Sequence, residues 1–263
     1  MRNEECEVSL GISQNSTFHI PHSTFHIDVL MVTVQLFGMT KSLAGNQYYL
    51  ALAMVNGQRV KDLVELINAG YPAIGELIHK KKVLVSVNQE IADEETEIRD
   101  GDEVALLPPF AGGTTTMNDT HDDALFVRVQ REDFSVDAEI NRVRGRSKRI
   151  GGISIFLGMA RDRSKGKDVD SITFEHYEGM AQKKLREIRE RALKDFDIIE
   201  VAILHRYGEI DIGENIVLIV VGAEHRAEAF RACKWAIDEL KQITPIWNLE
   251  HTPEGEVWVE EHP

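Results

Sequence analysis

The 263-residue sequence predicts an α+β protein made of two units joined by a polar segment. Residues 31–113 carry patterns in the order strand, strand, helix, strand, strand. Residues 125–263 follow with strand, strand, helix, strand, strand, helix. Between them, TTTMNDTHDDA at 114–124 has too few apolar residues to bury a surface of its own. We therefore expect two domains separated by a linker at 114–124.

The pattern of the first unit predicts a single helix packed on one mixed sheet. Strands are expected at 32–37, 47–55 and 83–88, with a last strand after the turn at Asp100-Gly101. The first two strands are expected to pair as a hairpin across Gly45-Asn46. A helix is predicted at 59–69, where apolar residues recur at helical spacing: Val60, Leu63, Val64 and Ile67.

The second unit predicts an α+β domain with two helices on one face of a sheet. Its strands are expected at 151–158, 171–177, 198–206 and 215–222. Helices are predicted at 181–196 and at 225–244, and Pro245 ends the second one. The core stripe of that second helix is expected to consist of Phe230, Cys233, Ile237 and Leu240.

Composition argues against several classes of function. The net charge is −14, which argues against general nucleic-acid binding. No apolar run approaches the roughly 20 residues of a membrane helix, so we expect no membrane contact. The two cysteines, Cys6 and Cys233, form no disulfide framework and fit a reducing cytoplasm. No His, Cys and carboxylate set has ligand spacing, so no metal site is expected.

Residues 1–30 differ from the rest of the chain. The motif STFHI occurs at 16–20 and again at 23–27, without the basic start and apolar stretch of a signal peptide. We expect either a disordered leader or translated upstream sequence with the start at Met31.

The stretch LLPPFAGG ends the first unit as a free tail would end, in Gly112-Gly113. With the preceding VNQEIADEETEIRDGDEVA, it resembles the C-terminal third of the small, sulfur-carrying subunit of molybdopterin synthase. The resemblance covers 31–113 and implies a ubiquitin-like β-grasp fold. It also implies that an E1-like adenylyltransferase and a sulfur donor convert the Gly113 carboxylate to a thiocarboxylate. A Gly-Gly end without side chains can thread into a narrow site.

The second unit resembles the large, catalytic subunit of the same enzyme, an α/β-hammerhead-type α+β domain. Three segments carry the resemblance: FLGMARDRSKGKDVDSITFEHYEGMAQKKL, HRYGEIDIGENIVLIVVGAEHRAEAF and LKQITPIWNLEHTPEGEVWVE. It covers 125–263. Together the two resemblances imply a fused molybdopterin synthase, a sulfurtransferase that converts cyclic pyranopterin monophosphate to molybdopterin. They imply a homodimer of the catalytic domain and no cofactor, since the sulfur comes from the thiocarboxylate.

The same resemblance assigns roles to individual residues. Arg161 is expected to hold the substrate phosphate. His225 and Arg226 begin a helix, where exposed N–H groups also favour anion binding. Lys241 is expected to meet the Gly-Gly end, either as an ion-pair partner or as an amine nucleophile. Ordinary alternatives remain open, because Lys241 could be an exposed helix residue and His225 a neighbour of the helix cap.

Between positions 142 and 167 the chain has nine Lys and Arg residues against one acid, Asp162. This basic segment predicts either a solvated loop or an anion pocket, and Arg163 and Lys167 are candidates for the pocket. One position departs from the family, which usually has a second lysine after the tryptophan of its P-x-W-K segment. Here Asn248 stands there, and it is neither a cation nor an amine nucleophile. Lys167 is a candidate replacement.

The leading hypothesis is an active synthase that is cut after Gly113. An alternative is an uncleaved, non-catalytic regulatory or binding homologue in which Asn248 marks lost chemistry. Another is a general ubiquitin-like sulfur carrier or modifier with the second domain as its release partner.

Overall fold

A computed structural model describes residues 29–108 and 123–259, except for the side chains of 123, 124 and 243. The Gly112-Gly113 tail and most of the predicted leader and linker lie outside these residues, whereas Val29 and Leu30 of the predicted leader belong to the first strand. Residues 29–108 form an N-terminal domain and residues 123–259 form a C-terminal domain, so the mixed α+β class is confirmed. No helix among the described residues is long and apolar enough to cross a membrane.

The N-terminal domain is a five-stranded sheet covered by helices on one side. Its elements are β1 (Val29–Leu36), α1 (Met39–Leu43), β2 (Tyr49–Val55), α2 (Val60–Gly70), α3 (Pro72–His79), β3 (Leu84–Val87), β4 (Glu90–Ile91) and β5 (Val104–Leu107). The strand order is β2-β1-β5-β3-β4. The first and last strands, β1 and β5, are parallel neighbours at the centre, and β1 pairs antiparallel with β2. This is the expected β-grasp arrangement.

The prediction for this domain holds in its main elements and misses three short ones. Strand β1 starts at Val29, earlier than expected, because Leu30 is buried in the core and pairs with Met54. The predicted hairpin forms, but its connection contains α1 before the left-handed Gly45 and Asn46. Helix α2 is followed by α3, which has Pro at its first position and buries Ile74. The expectation of a single helix was therefore wrong.

The C-terminal domain is larger and contains two four-stranded sheets. Its elements are α4 (Asp123–Phe126), β6 (Val127–Gln130), α5 (Val136–Arg144), β7 (Gly152–Met159), β8 (Arg163–Ser164), β9 (Lys167–Asp168), β10 (Ser171–His176), α6 (Met180–Asp195), β11 (Glu200–Arg206), β12 (Gly208–Asp211), β13 (Asn215–Ala223), α7 (Arg226–Ile243), β14 (Ile246–Thr252) and β15 (Gly255–Trp258). The first sheet has the order β6-β11-β13-β7 and the second β12-β10-β14-β15.

The first sheet of this domain is covered on both faces. Helices α6 and α7 pack on one face around buried residues of β11 and β13, including Val201 and Ile219. On the other face, Val143 of α5 packs against Leu204 and Val220. The two predicted helices lie on one face of the sheet as expected, and the third helix, the charged α5 on the other face, was not predicted.

The second sheet positions the candidate site. Strand β14 pairs antiparallel with β10, and this register places Asn248 opposite Phe174. Before β10, the short hairpin β8–β9 turns through Lys165 and Gly166, both with positive φ. These two strands and the hairpin face the C-terminal end of α7 across a cavity.

One predicted core residue lies outside the core. Phe230 of α7 is 62% exposed, whereas Cys233, Ile237 and Leu240 are buried as expected. Its neighbour in the fold is β7, an edge strand whose Ile155, Leu157 and Met159 are also exposed. Ile155, Leu157 and Met159, defined here as the β7 face, form an apolar surface on the side of the sheet away from α7, because Ile153 packs with α5 and Phe156 with α7.

Candidate functional site

The candidate site is a cavity of about 440 Å³ between the two sheets of the C-terminal domain. Its apolar wall comes from the end of β7, from β10 and from α7, with Phe156, Phe174 and Leu240 among the lining residues. A mostly apolar cavity with a few polar groups is the usual form of a small-molecule site.

Three cations line this cavity. Arg161 follows β7, Lys165 occupies the turn of the β8–β9 hairpin, and Lys241 lies in the last turn of α7. The acid among the lining residues is Glu250 of β14. Two of these cations, Arg161 and Lys241, are predicted site residues that lie more than 75 positions apart in sequence, and the fold brings them to one cavity. The excess of positive charge suits an anionic ligand.

Lys165 adopts a backbone conformation that is uncommon for its residue type. Its φ is +48°, and Gly166 follows with φ +85°, so both central positions of the hairpin turn are left-handed. Such turns favour Asn, Asp or Gly, and strain of this kind is concentrated at functional sites. Lys165 has no ion-pair partner among residues 29–108 and 123–259, in contrast to its neighbours Arg163 and Lys167.

Uncharged polar groups also reach the cavity. Thr244 and Asn248 both line it, and the Thr244 Oγ1 and Asn248 Oδ1 atoms are buried without a hydrogen-bond partner in the described part of the chain. His205 lines the cavity from β11, and its Nδ1 lies 2.7 Å from the carbonyl oxygen of Arg206. Because a carbonyl can only accept, Nδ1 carries the proton, and the ring packs edge-on against Phe174.

The N-terminal domain docks on the second sheet, on the face opposite this cavity. Phe37 stacks on Trp247 with ring centroids 5.0 Å apart, and Lys41 forms an ion pair of 2.5 Å with Glu175. Glu90 and Lys183 form a second ion pair between the domains. The buried cluster at this contact joins residues of both domains: Ala105, Leu107, Tyr177, Met180 and Trp247.

The end of β5 contacts the second sheet of the C-terminal domain. A Cβ at Gly38 would lie 3.1 Å from Pro108 and 3.4 Å from Trp247, so these three residues are in close contact. Gly38 has φ +52° and ψ −135°, which only glycine adopts readily. Asn248, the residue after Trp247, lines the cavity, and successive side chains of a strand point to opposite faces. Pro108 therefore contacts the face of the second sheet that is turned away from the cavity.

Two predicted binding residues do not line the cavity. Arg163 lies 3.7 Å from Asp168 in an exposed ion pair on the β8–β9 hairpin. The Lys167 ammonium donates a 2.8 Å hydrogen bond to Glu254, which raises the pKa of Lys167. The Lys167 amine is thus engaged away from Asn248, and the cavity-lining lysine of this hairpin is Lys165.

Two further predicted residues lie at the other end of α7. His225 is the N-cap of this helix and Arg226 is its first residue, whereas Lys241 is in its last turn. The 15 residues from Arg226 to Lys241 extend about 22 Å along the helix axis. Within one chain, His225 and Arg226 therefore do not reach the cavity.

Sequence reasoning missed several lining residues. Lys165 belongs to the basic segment, and its place before Gly166 in a short turn was the available signal. Thr244 precedes the helix-ending Pro245 and gave no signal, since threonine there is ordinary. Described residues contain no group of three His, Cys, Asp or Glu side chains arranged to hold a metal ion.

Known families match both domains. Residues 34–113 match the ThiS family, and residues 129–243 match the family described as MoaE protein. The molybdopterin synthase catalytic subunit of Pyrococcus abyssi is 46% identical over 129 residues, which cover 49% of this chain and 86% of that protein. The protein of the same name from Ralstonia nicotianae is 39% identical, over 51% of this chain and 76% of its own length.

Solved structures also resemble the chain. A crystal structure of molybdopterin synthase from Staphylococcus aureus has 29% identity and a TM-score of 0.49, covering 52% of this chain and 97% of that one. The sequence matches establish that the chain belongs to the MoaE family of molybdopterin synthase catalytic subunits and carries a ThiS-family domain ahead of it in the same polypeptide.

Proposed function

We propose that this chain acts in molybdenum cofactor biosynthesis as a fused molybdopterin synthase. In this proposal two Gly113 thiocarboxylates in succession each donate one sulfur to cyclic pyranopterin monophosphate to form molybdopterin, and each transfer leaves a Gly113 carboxylate that must be sulfurated again. The observation that carries the proposal is the cavity lined by Arg161, Lys165 and Lys241, in a chain whose N-terminal domain docks on the same second sheet. A carrier domain and its target site thus belong to one molecule.

Different cavity residues bind the two anions, the substrate phosphate and the thiocarboxylate. Arg161 and Lys165 hold the substrate phosphate, because a guanidinium and an ammonium on one flexible loop suit a multivalent oxyanion. Lys241, half-buried at the end of α7, pairs with the thiocarboxylate. The apolar walls from Phe156 and Phe174 exclude water, which strengthens these charge interactions.

Sulfur transfer requires a free end at Gly113. In the intact chain Gly113 is in peptide linkage to Thr114, so it has no carboxylate to thiolate. We therefore propose cleavage after Gly113, followed by adenylation by an E1-like enzyme and sulfuration by a donor. The domains would then be 31–113 and 125–263, with 114–124 as the linker that is cut, in the cytoplasm.

A homodimer would bring the missing residues to the cavity. The β7 face combines an unpaired edge strand with three exposed apolar side chains, which is typical of a protein contact. Helix α7 packs on the other side of the same strand, so a second copy could deliver its own His225 and Arg226. Leu157→Glu should convert a dimer to a monomer in light scattering, and an unchanged mass would remove this part of the proposal.

Mass spectrometry of the protein from its native host tests the central claim. We expect a fragment that ends at Gly113 and carries one sulfur in place of one oxygen. Lys241→Ala should abolish conversion of cyclic pyranopterin monophosphate, whereas Lys234→Ala, which removes an exposed lysine of the same helix paired with Asp238, should not. Full activity of Lys241→Ala would contradict the role of Lys241.

A second candidate is an uncleaved, non-catalytic homologue. Asn248 favours it, because this uncharged residue lines the cavity at the position where the resemblance to the family led us to expect a lysine. Detection of intact chain alone, together with no conversion of the substrate, would support this candidate and exclude the synthase.

A further inference from the structure

Two uncharged polar side chains line the cavity with no hydrogen-bond partner in the structure as described. They are Thr244 and Asn248, whose Oγ1 and Oδ1 atoms are both buried. Thr244 is the C-cap residue of α7, and Asn248 lies in β14. The cavity wall thus carries two fixed hydrogen-bonding groups four positions apart.

Local structure does not use these atoms. The Thr244 N–H donates to the Leu240 carbonyl, and the Thr244 carbonyl accepts from Ile246 N–H at 2.8 Å. The backbone needs of Thr244 are therefore met without its hydroxyl. The Asn248 carbonyl accepts from Val259 N–H at 3.0 Å, and its side-chain amide has no part in the strand pairing.

An unpartnered buried polar atom is costly, and valine or leucine would fill the same space without that cost. Since more than nine in ten buried polar groups in proteins are hydrogen-bonded, two exceptions in one cavity call for a shared explanation. A ligand that enters the cavity and supplies the partners provides it.

We propose that Thr244 and Asn248 hydrogen-bond the edge of the pterin ring of the substrate and determine its orientation. This inference rests on the proposed function. The cations Arg161, Lys165 and Lys241 are the proposed partners of the substrate phosphate and the thiocarboxylate. Thr244 and Asn248 are uncharged, and they suit an uncharged part of the ligand whose edge alternates hydrogen-bond donors and acceptors. A pterin ring presents such an edge, and a hydroxyl beside a carboxamide matches it, because each can donate and accept.

The first test uses pterin itself, the bare bicyclic ring, and the full chain. Its fluorescence on titration with protein reports binding without any sulfur transfer. Thr244→Val and Asn248→Leu keep the side-chain shapes, and each should weaken pterin binding about three- to tenfold, the effect of one hydrogen bond between uncharged groups. Equal binding by both variants, or no binding by the unmodified chain, would overturn the inference.

Thr252→Val is the matched control. The Thr252 hydroxyl donates a 2.7 Å hydrogen bond to the Gly255 carbonyl at the far end of β14, outside the cavity. Its loss should lower Tm and leave pterin binding unchanged. Thr244→Val should leave Tm unchanged or higher, because no bond in the free protein is lost. A Thr244→Val variant that loses Tm as Thr252→Val does, with unchanged pterin binding, would assign the hydroxyl to structure instead.

The second test separates the ring from the carrier tail as the bound group. In the sulfur-transfer reaction, Thr244→Val should raise KM for cyclic pyranopterin monophosphate with a smaller change in kcat. A fall in kcat at constant KM would overturn the inference in favour of contact with the tail. If the unmodified chain binds pterin through Thr244 but converts no substrate, the proposed function fails and the ring-binding inference stands.

Discussion

The ion pair between Lys41 and Glu175 offers a direct measure of how firmly the two domains dock. Their side chains are only 12% and 21% exposed, and the Lys41 Nζ to Glu175 Oε1 distance is 2.5 Å. Glu175 also accepts a hydrogen bond of 3.3 Å from the Gly38 N–H. In Lys41→Met the aliphatic stem is kept, while the carboxylate stays in the interface without its cation.

The expected magnitude follows from this burial. An exposed ion pair contributes about 0.2–1 kcal/mol, whereas a hydrogen bond to a charged group away from solvent contributes about 1.5–3 kcal/mol. For the largely buried Lys41–Glu175 pair we expect Lys41→Met to weaken docking by about 2 kcal/mol. This corresponds to a roughly 30-fold larger equilibrium population of molecules with the interface open. The matched control is Lys61→Met, since the pair of Lys61 with Glu95 is 49% and 60% exposed.

Hydrogen exchange of the Gly38 amide is the assay, because that amide is protected only while the domains are docked. We expect about 30-fold faster exchange in Lys41→Met and no change in Lys61→Met. The amide of Val34, in the centre of β1, reports unfolding of the N-terminal domain. Unchanged exchange at Gly38, or equal acceleration at Val34, would refute the reasoning.

Three further predictions concern the C-terminal domain. Glu200→Ala leaves the buried guanidinium of Arg189 without its carboxylate partner. It should lower the free energy of unfolding by about 3–5 kcal/mol in urea titrations. Burial lowers the pKa of His176, so the unfolded chain binds more protons. Stability should therefore fall as pH drops from about 6.5 through the folded-state pKa, and calorimetry of His176→Phe should show a weaker fall. Lys165→Gln should weaken inorganic pyrophosphate binding about fivefold in calorimetric titrations, and Lys194→Gln should not.

Local patterns predicted the elements in which one face is clearly apolar. Helix α2 was expected at 59–69 and spans Val60–Gly70, because its four apolar residues at helical spacing all enter the core. Helix α5 was missed, since five of its nine residues are polar or charged and only Val136, Ile140 and Val143 are large apolar residues. Strand β14 was missed because apolar and polar residues alternate only weakly in its middle. Its strand conformation depends on its pairing with β10.

The candidate site could be predicted only in part, for a physical reason. The motif around Lys241 identified a cation that does line the cavity. No local pattern placed Lys165 there, because its position depends on the pairing of β10 with β14, which joins segments more than 70 residues apart. The sequence also could not predict that His225 lies away from the cavity while Lys241 lines it. This depends on which end of α7 contacts the second sheet.

The docked arrangement gives the proposed cleavage a specific consequence. The N-terminal domain docks on the second sheet of its own chain through contacts on the face opposite the cavity. Before cleavage the linker keeps the two domains at an effective concentration of the order of millimolar, and after cleavage this contribution is lost. Docking then depends on the interface contacts without the linker, the Lys41–Glu175 pair among them, so Lys41→Met should reduce sulfur transfer far more in dilute, cleaved protein than in concentrated protein.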